Sequence, residues 1–153
     1  MLTPLQGEGR TVEQWLTMFH LATVVIDPYT NESSWLLATA AGILRHFDGA
    51  AVRVSFTVTG PPDDARAFLG PLADEFLTFT DPDRLFVKAI GLERLPAFVF
   101  IRADGTTQGV AEGWHPSEWR TVAELIASIT SWSKPLVPDR VDPTPFEGTP
   151  ALG

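Results

Sequence analysis

The sequence predicts an α/β fold: a three-layer α/β/α sandwich around a mixed sheet, ending in an antiparallel hairpin and a terminal helix. Three observations carry this. Short β-branched or apolar runs at 22–27, 51–58 and 97–101 alternate with longer stretches whose apolar residues recur at helical spacing. Such alternation implies a mostly parallel sheet covered on both faces. An Asp104-Gly105 pair then joins the last apolar run to Thr107–Ala111, which is the signal for a hairpin turn.

Each element has its own warrant. Thr11-Val12-Glu13-Gln14 reads as a capping box, and Val12, Trp15, Leu16 and Phe19 follow at helical spacing, so a helix is expected over 11–20. Residues 22–27 (ATVVID) form a strand by length and β-branching. A long helix is expected over 32–47, capped by Asn31 or Ser33 and stopped by Asp48-Gly49. Residues 51–58 alternate as a second strand. The Gly60-Pro61-Pro62-Asp63 stretch starts a helix running to about Phe76, which Gly70-Pro71 bends or splits.

Leu77–Thr80 is a short strand, and Pro82–Ile90 a short helix ended by Gly91. Residues 97–101 (AFVFI) are a strongly apolar strand. In the final helix, Pro116–Trp132, Trp119, Val122, Ala123, Ile126 and Ile129 share one face. After it, five prolines fall within 21 residues, a composition that builds no core of its own. The division expected is a domain over 1–132 and an extended or disordered tail over 133–153.

The 153 residues suit one domain with a proper core, and 44% apolar with 20% charged residues is ordinary for a globular protein. A net charge of −8 argues against nucleic acid and against anionic membrane surfaces as partners. No run approaches the length needed to span a bilayer, and MLTPLQGEGR lacks the basic and apolar regions of a secretory signal, so a cytoplasmic location is expected. The chain contains no cysteine. That removes disulfide exchange, thiolate peroxidation and thiolate metal sites as intrinsic activities. The histidines, His20, His46 and His115, fit no metal-ligand spacing, and no glycine-rich phosphate loop is present, so neither a metal nor another cofactor is expected.

The segment FTDPDRLFVKAIGLERLPAFVFIRADGTTQGVAEGW, residues 79–114, resembles the thioredoxin-like superfamily: a short helix, a Gly-to-Pro stretch, an apolar strand, an Asp-Gly turn, a strand and a glycine. The LTFTDPD element is similar to the peroxiredoxin and TlpA-like branches. The first half matches in spacing, with a strand ending in Asp27, then Tyr29, a turn and a long helix. The resemblance covers roughly 10–132. It implies a cis Leu95–Pro96 bond, and it sets Ser33 and Leu36 where the family keeps its nucleophilic and resolving cysteines. The peroxidatic Pro-x-x-x-Thr-x-x-Cys pattern is unmet, because Glu32 and Trp35 stand at its last two positions. The resemblance therefore implies a redox-inactive member.

It also implies a surface. Tyr29, Ser33, Ser34, Trp35, Leu95, Pro96 and Trp114 would ring the face on which the family holds substrate peptides, and exposed Trp and Tyr are typical anchors there. The alternative is that the two Trp rings turn inward and pack. Asp27 reads either as an acid of raised pKa or as a strand-end carboxylate satisfied by backbone. Ser33 and Ser34 read either as nucleophiles served by His115 or as helix caps. The tail reads as a lid, a partner ligand or a spacer, with Phe146 its lone apolar anchor.

The leading expectation is a non-catalytic protein that binds a protein or peptide partner through the vacant face, as a chaperone, adaptor or assembly factor, itself a monomer or homodimer. Three alternatives stand beside it. GVAEGWHPSEW (109–119) is similar to a segment of the cysteine-less thioredoxin-like chaperones of hydrogenase maturation. A non-redox enzyme would use Ser33, Asp27 or His115. A structural subunit or homodimer would bury the same face.

Overall fold

The computed structural model describes residues 3–4, 20–135, 137 and 142–152. In chain order the elements are β1 (Thr3–Pro4), β2 (His20–Ile26), α1 (Asn31–His46), β3 (Val52–Val58), α2 (Pro62–Leu69), α3 (Leu72–Glu75), β4 (Leu77–Thr80), α4 (Leu85–Ile90), β5 (Arg94–Leu95), β6 (Ala97–Ile101), β7 (Thr107–Glu112), α5 (Pro116–Thr130) and β8 (Thr149–Pro150). The main sheet has the order β1-β4-β3-β2-β6-β7. Strands β2, β3 and β4 run parallel, whereas β6 and β7 are antiparallel to their neighbours. A second, two-stranded sheet pairs β5 with β8.

Side-chain alternation along the central strands builds two cores. Ala22, Val24 and Ile26, with Phe98 and Phe100, face α1 and α5, which contribute Leu36, Ala40, Leu44, Val122, Ala123 and Ile126. Leu21 and Val25, with Ala97, Val99 and Ile101, face the other way and meet Phe86 and Val87 of α4. Neighbouring residues of one strand thus belong to opposite cores, as the two-residue period of a strand requires. β6 is apolar throughout, and β2 is apolar apart from His20 and Thr23, because both of their faces are covered.

The structure moves several expected boundaries. The helix read over 11–20 falls on 11–19, outside the described residues, and its last residue, His20, instead opens β2 opposite Val52. The helix read through Phe76 is split into α2 and α3, because Gly70 adopts φ +57° and Pro71 follows it. The helix expected from Pro82 starts at Leu85. Arg84 sits in the left-handed region at φ +59°, and residues 81–84 form a turn closed by Arg84 N–H to the Asp81 carbonyl, 3.0 Å.

Asp81 is the reason α4 begins where it does. It is buried, and its carboxylate accepts the amides of Phe86 (3.1 Å) and Val87 (3.2 Å), two donors that the first helical turn leaves unpaired. α5 stops at Thr130 rather than Trp132: Ser131 turns left-handed at φ +55°, and the Trp132 amide bonds the Ala127 carbonyl. Trp132 is pinned there by its indole N–H on the His46 carbonyl, 2.7 Å.

Asp81→Ala is expected to lower the unfolding free energy by about 1–2 kcal/mol, the usual cost of losing such a cap. Urea denaturation monitored by tryptophan fluorescence would read it. Asp81→Asn keeps an acceptor and should lose less.

Candidate functional site

The C-terminal ends of β2 and β3 and the start of α1 meet at one end of the sheet. β2 delivers Asp27, only 5% exposed, to that end. Its carboxylate accepts the Tyr29 amide at 2.9 Å and pairs with the Arg84 guanidinium at 3.3 Å. Its carbonyl accepts both the amide and the hydroxyl of Thr30. Its own amide donates to the Ser33 hydroxyl oxygen, 3.0 Å away. Ser33 is fully buried. The turn that would carry thiols is therefore a closed hydrogen-bonded loop, with Ser33 satisfying a buried amide that would otherwise be orphaned.

Ser34 is exposed and donates to the Asn31 carbonyl at 2.7 Å, a local bond at the head of α1. Tyr29 stands 63% exposed, and its hydroxyl donates to Asp64 at 2.5 Å. That carboxylate, accepting the phenol hydrogen, raises the Tyr29 pKa above the ordinary tyrosine value. Pro28 and Tyr29 lie over Gly60, where a Cβ would come within 2.9 Å of the Pro28 ring.

The Leu95–Pro96 peptide bond is cis, and both residues are buried. Trp114 is buried as well, correcting the expectation of an exposed anchor. Its ring meets Trp119 edge-on at 5.4 Å, and Trp119 stacks on Phe98 at 5.2 Å, so Trp114 is a floor of the face and not its rim. Trp35, 56% exposed, is the ring that stays at the surface.

What covers the face is the chain's own tail, which runs over 142–152 and is tied to the domain at several points. Asp142 accepts the Thr39 hydroxyl at 2.7 Å, and the Pro143 carbonyl accepts the Trp114 indole N–H at 2.7 Å. Phe146 and Trp114 exchange both backbone hydrogen bonds, at 2.7 and 3.0 Å. The Phe146 ring rests edge-on against Trp35, centroids 5.7 Å apart. Thr149 pairs with Leu95 and Pro150 with Arg94 in an antiparallel ladder. The Ala151 amide bonds the Glu93 carbonyl at 2.9 Å, and the Ala151 carbonyl accepts from Arg84. Phe146 packs on the core under α1 and α5, whereas Ala151 is buried in the core under α4. The tail crosses the end of the sheet from one core to the other.

Of the seven residues expected to ring the face, Tyr29, Ser34 and Trp35 are exposed. Ser33, Leu95, Pro96 and Trp114 are buried, with the tail paired to Leu95 and Trp114. His115 does not serve Ser33: its Nε2 lies 3.6 Å from Glu147 of the tail. His20 and His46 lie at the opposite end of the molecule, bonded to Ala103 and Ser133. Sequence reasoning missed Arg84, Gly113, Gly148 and Ala151. Of the tail residues only Phe146 carried a signal, a lone aromatic in a proline-rich segment. Among the described residues, no group of three or more His, Asp or Glu side chains is placed to hold a metal ion, and no helix is long and apolar enough to cross a membrane.

No family model and no curated protein matches the chain. Solved structures do. A secreted Mycobacterium tuberculosis disulfide oxidoreductase homologous to E. coli DsbE aligns at 20% identity and TM-score 0.61, over 83% of this chain and 93% of that one. A peroxiredoxin Q mutant from Xanthomonas campestris aligns at 12% and TM-score 0.65, over 85% and 89%. A hypothetical protein from Sinorhizobium meliloti 1021 aligns at 12% and TM-score 0.70, over 99% and 90%. At these identities the likeness shows the fold, which is thioredoxin-like. The neighbours include redox enzymes, but this chain has no thiolate with which to perform disulfide exchange or peroxidase chemistry.

Burial of Ser33 gives a direct check. The thiol of a Ser33→Cys variant should react with an aromatic disulfide reagent at least about tenfold more slowly in the folded protein than in urea, because reactivity tracks access. A Ser34→Cys thiol should react at nearly the unfolded rate. Equal rates at the two positions would contradict the closed turn.

Proposed function

We propose that this protein binds an extended segment of another polypeptide on the face beside Pro96, without catalysis, and that its own tail is the competing ligand. The observation that supports this reading is the ladder between Leu95 and Thr149: the backbone beside Pro96 already holds an extended strand. Strand addition of this kind draws affinity from main-chain hydrogen bonds and specificity from the pockets that take alternate side chains. An enzyme built on Ser33, Asp27 and His115 has less support, since each of those groups is already engaged with a different partner.

The seated tail makes the site selective by competition. A tethered segment experiences an effective concentration on the order of millimolar, so a free strand of equal intrinsic affinity must exceed that level to displace it. A physiological partner therefore needs contacts that the tail does not make. Such contacts are on offer: Tyr29, Trp35, Leu85 and Leu152 are large apolar side chains exposed around the anchoring points of the strap.

The test uses the full chain with Phe146→Asp, which removes the aromatic anchor, and an array of extended decapeptides. The variant is expected to bind a subset of the array about tenfold or more tightly than wild type does. Hydrogen exchange at the Phe146 and Ala151 amides would establish that the tail has left. An open face that binds no peptide would overturn the reading.

A further inference from the structure

The tail also shows what kind of strand the face accepts. Resting on the strand-binding reading above, we infer that the site selects a partner segment with an aromatic residue, a glycine two positions later and a small residue three positions after that. In this chain the pattern is filled by Phe146, Gly148 and Ala151.

The glycine is the strictest requirement. Gly148 adopts φ +88°, where residues with a Cβ are strained. A Cβ there would overlap the Leu95 carbonyl oxygen, and it would lie 3.1 Å from the Leu95 carbonyl carbon and 3.2 Å from the Gly113 Cα. All three atoms are backbone, so no side chain can swing aside. Gly113 makes the reciprocal demand: at φ +66°, its Cβ would overlap the Glu147 carbonyl oxygen and lie 2.7 Å from that carbonyl carbon. Two glycines, one in the domain and one in the strand, permit a backbone-to-backbone approach that no other residue pair allows.

The other two positions follow from what surrounds them. Phe146 is placed by a two-way backbone bridge to Trp114, with its ring nearly perpendicular to that of Trp35. Ala151 is 1% exposed in the core beneath α4, with its amide held by the Glu93 carbonyl. A larger side chain at that depth would overpack the core. Between them, Thr149 is half-buried and Pro150 exposed, and the site constrains their side chains less.

The test uses the full-length Gly148→Ala variant, whose own tail should fail to seat, and two synthetic peptides followed by tryptophan fluorescence. One peptide is PTPFEGTPAL and the other carries Ala in place of its Gly. Faster exchange of the Phe146 and Ala151 amides is expected in the variant, with binding of the glycine peptide at least about tenfold tighter than of the alanine peptide. Phe146→Asp, which leaves Gly148 in place, provides a second open protein for the same pair of peptides. Equal binding of the two peptides would remove the glycine requirement and leave the strand-binding reading standing. A tail that stays protected in Gly148→Ala would remove it too. Failure of both peptides to bind an opened face would overturn both readings. A tail-exchanged dimer of the wild-type chain, detected by light scattering, would give the site to a second copy and overturn the partner assignment.

Discussion

The carboxylate of Asp27 is buried at the end of a central strand, and a buried charge persists only when it is paired. Its partner is Arg84, whose side chain is 17% exposed. The arginine reaches it from the turn before α4 with its backbone in the left-handed region. The same guanidinium bonds the Ala151 carbonyl. One cation therefore joins the strand end, the turn that sets up α4 and the strap that covers the face. Losing a single partner from such a group leaves an uncompensated charge behind, which costs more than the pair gains by forming. The strap is thus coupled to the domain through the same residue that stabilises the buried acid.

The second constraint is backbone pairing. β5 is only two residues long and has no strand partner in the main sheet, although the Arg94 amide bonds the Glu112 carboxylate of β7. Leu95 is fully buried, and a buried backbone group without a partner costs on the order of 1–3 kcal/mol. β8 supplies the ladder, and Ala151 and Phe146 plug the two cores on either side. β8 is thus part of the domain's own hydrogen bonding. In the strand-binding reading, another strand would have to replace it there.

Much of this was legible in residue patterns. The AFVFI strand and the Asp104-Gly105 turn announced the hairpin, and Gly70-Pro71 announced the break between α2 and α3. Other features were invisible for physical reasons. An Asp-Pro-Asp run signals a helix start, but Asp81 caps from four residues before Leu85, and only the left-handed Arg84 reveals the offset. Trp114 has the same composition signal whether its ring faces water or the core; the ring turns inward because Trp119 and Phe98 complete an aromatic cluster beneath it. Nothing in the proline-rich composition says that the tail seats on the domain, because beyond Phe146 and Ala151 much of its attachment runs through backbone hydrogen bonds and a glycine contact, neither of which leaves a hydrophobic pattern.

The exposed rim ties these threads together. Tyr29 lies two residues from Asp27, Leu85 directly follows Arg84, Leu152 directly follows Ala151, and Trp35 carries the ring of Phe146. Every large apolar group left in solvent at this end is thus adjacent to a point that holds the strap down. In the strand-binding reading, a partner that packs on the rim would lie against those points, and a partner strand in place of β8 would displace the tail. Whatever coupling joins the two events acts to the same degree in both directions. The turn, closed by Ser33 and without a thiol, positions the exposed rings. It holds Tyr29 and Trp35 in the open beside a face that a backbone, and not a sulfur, occupies.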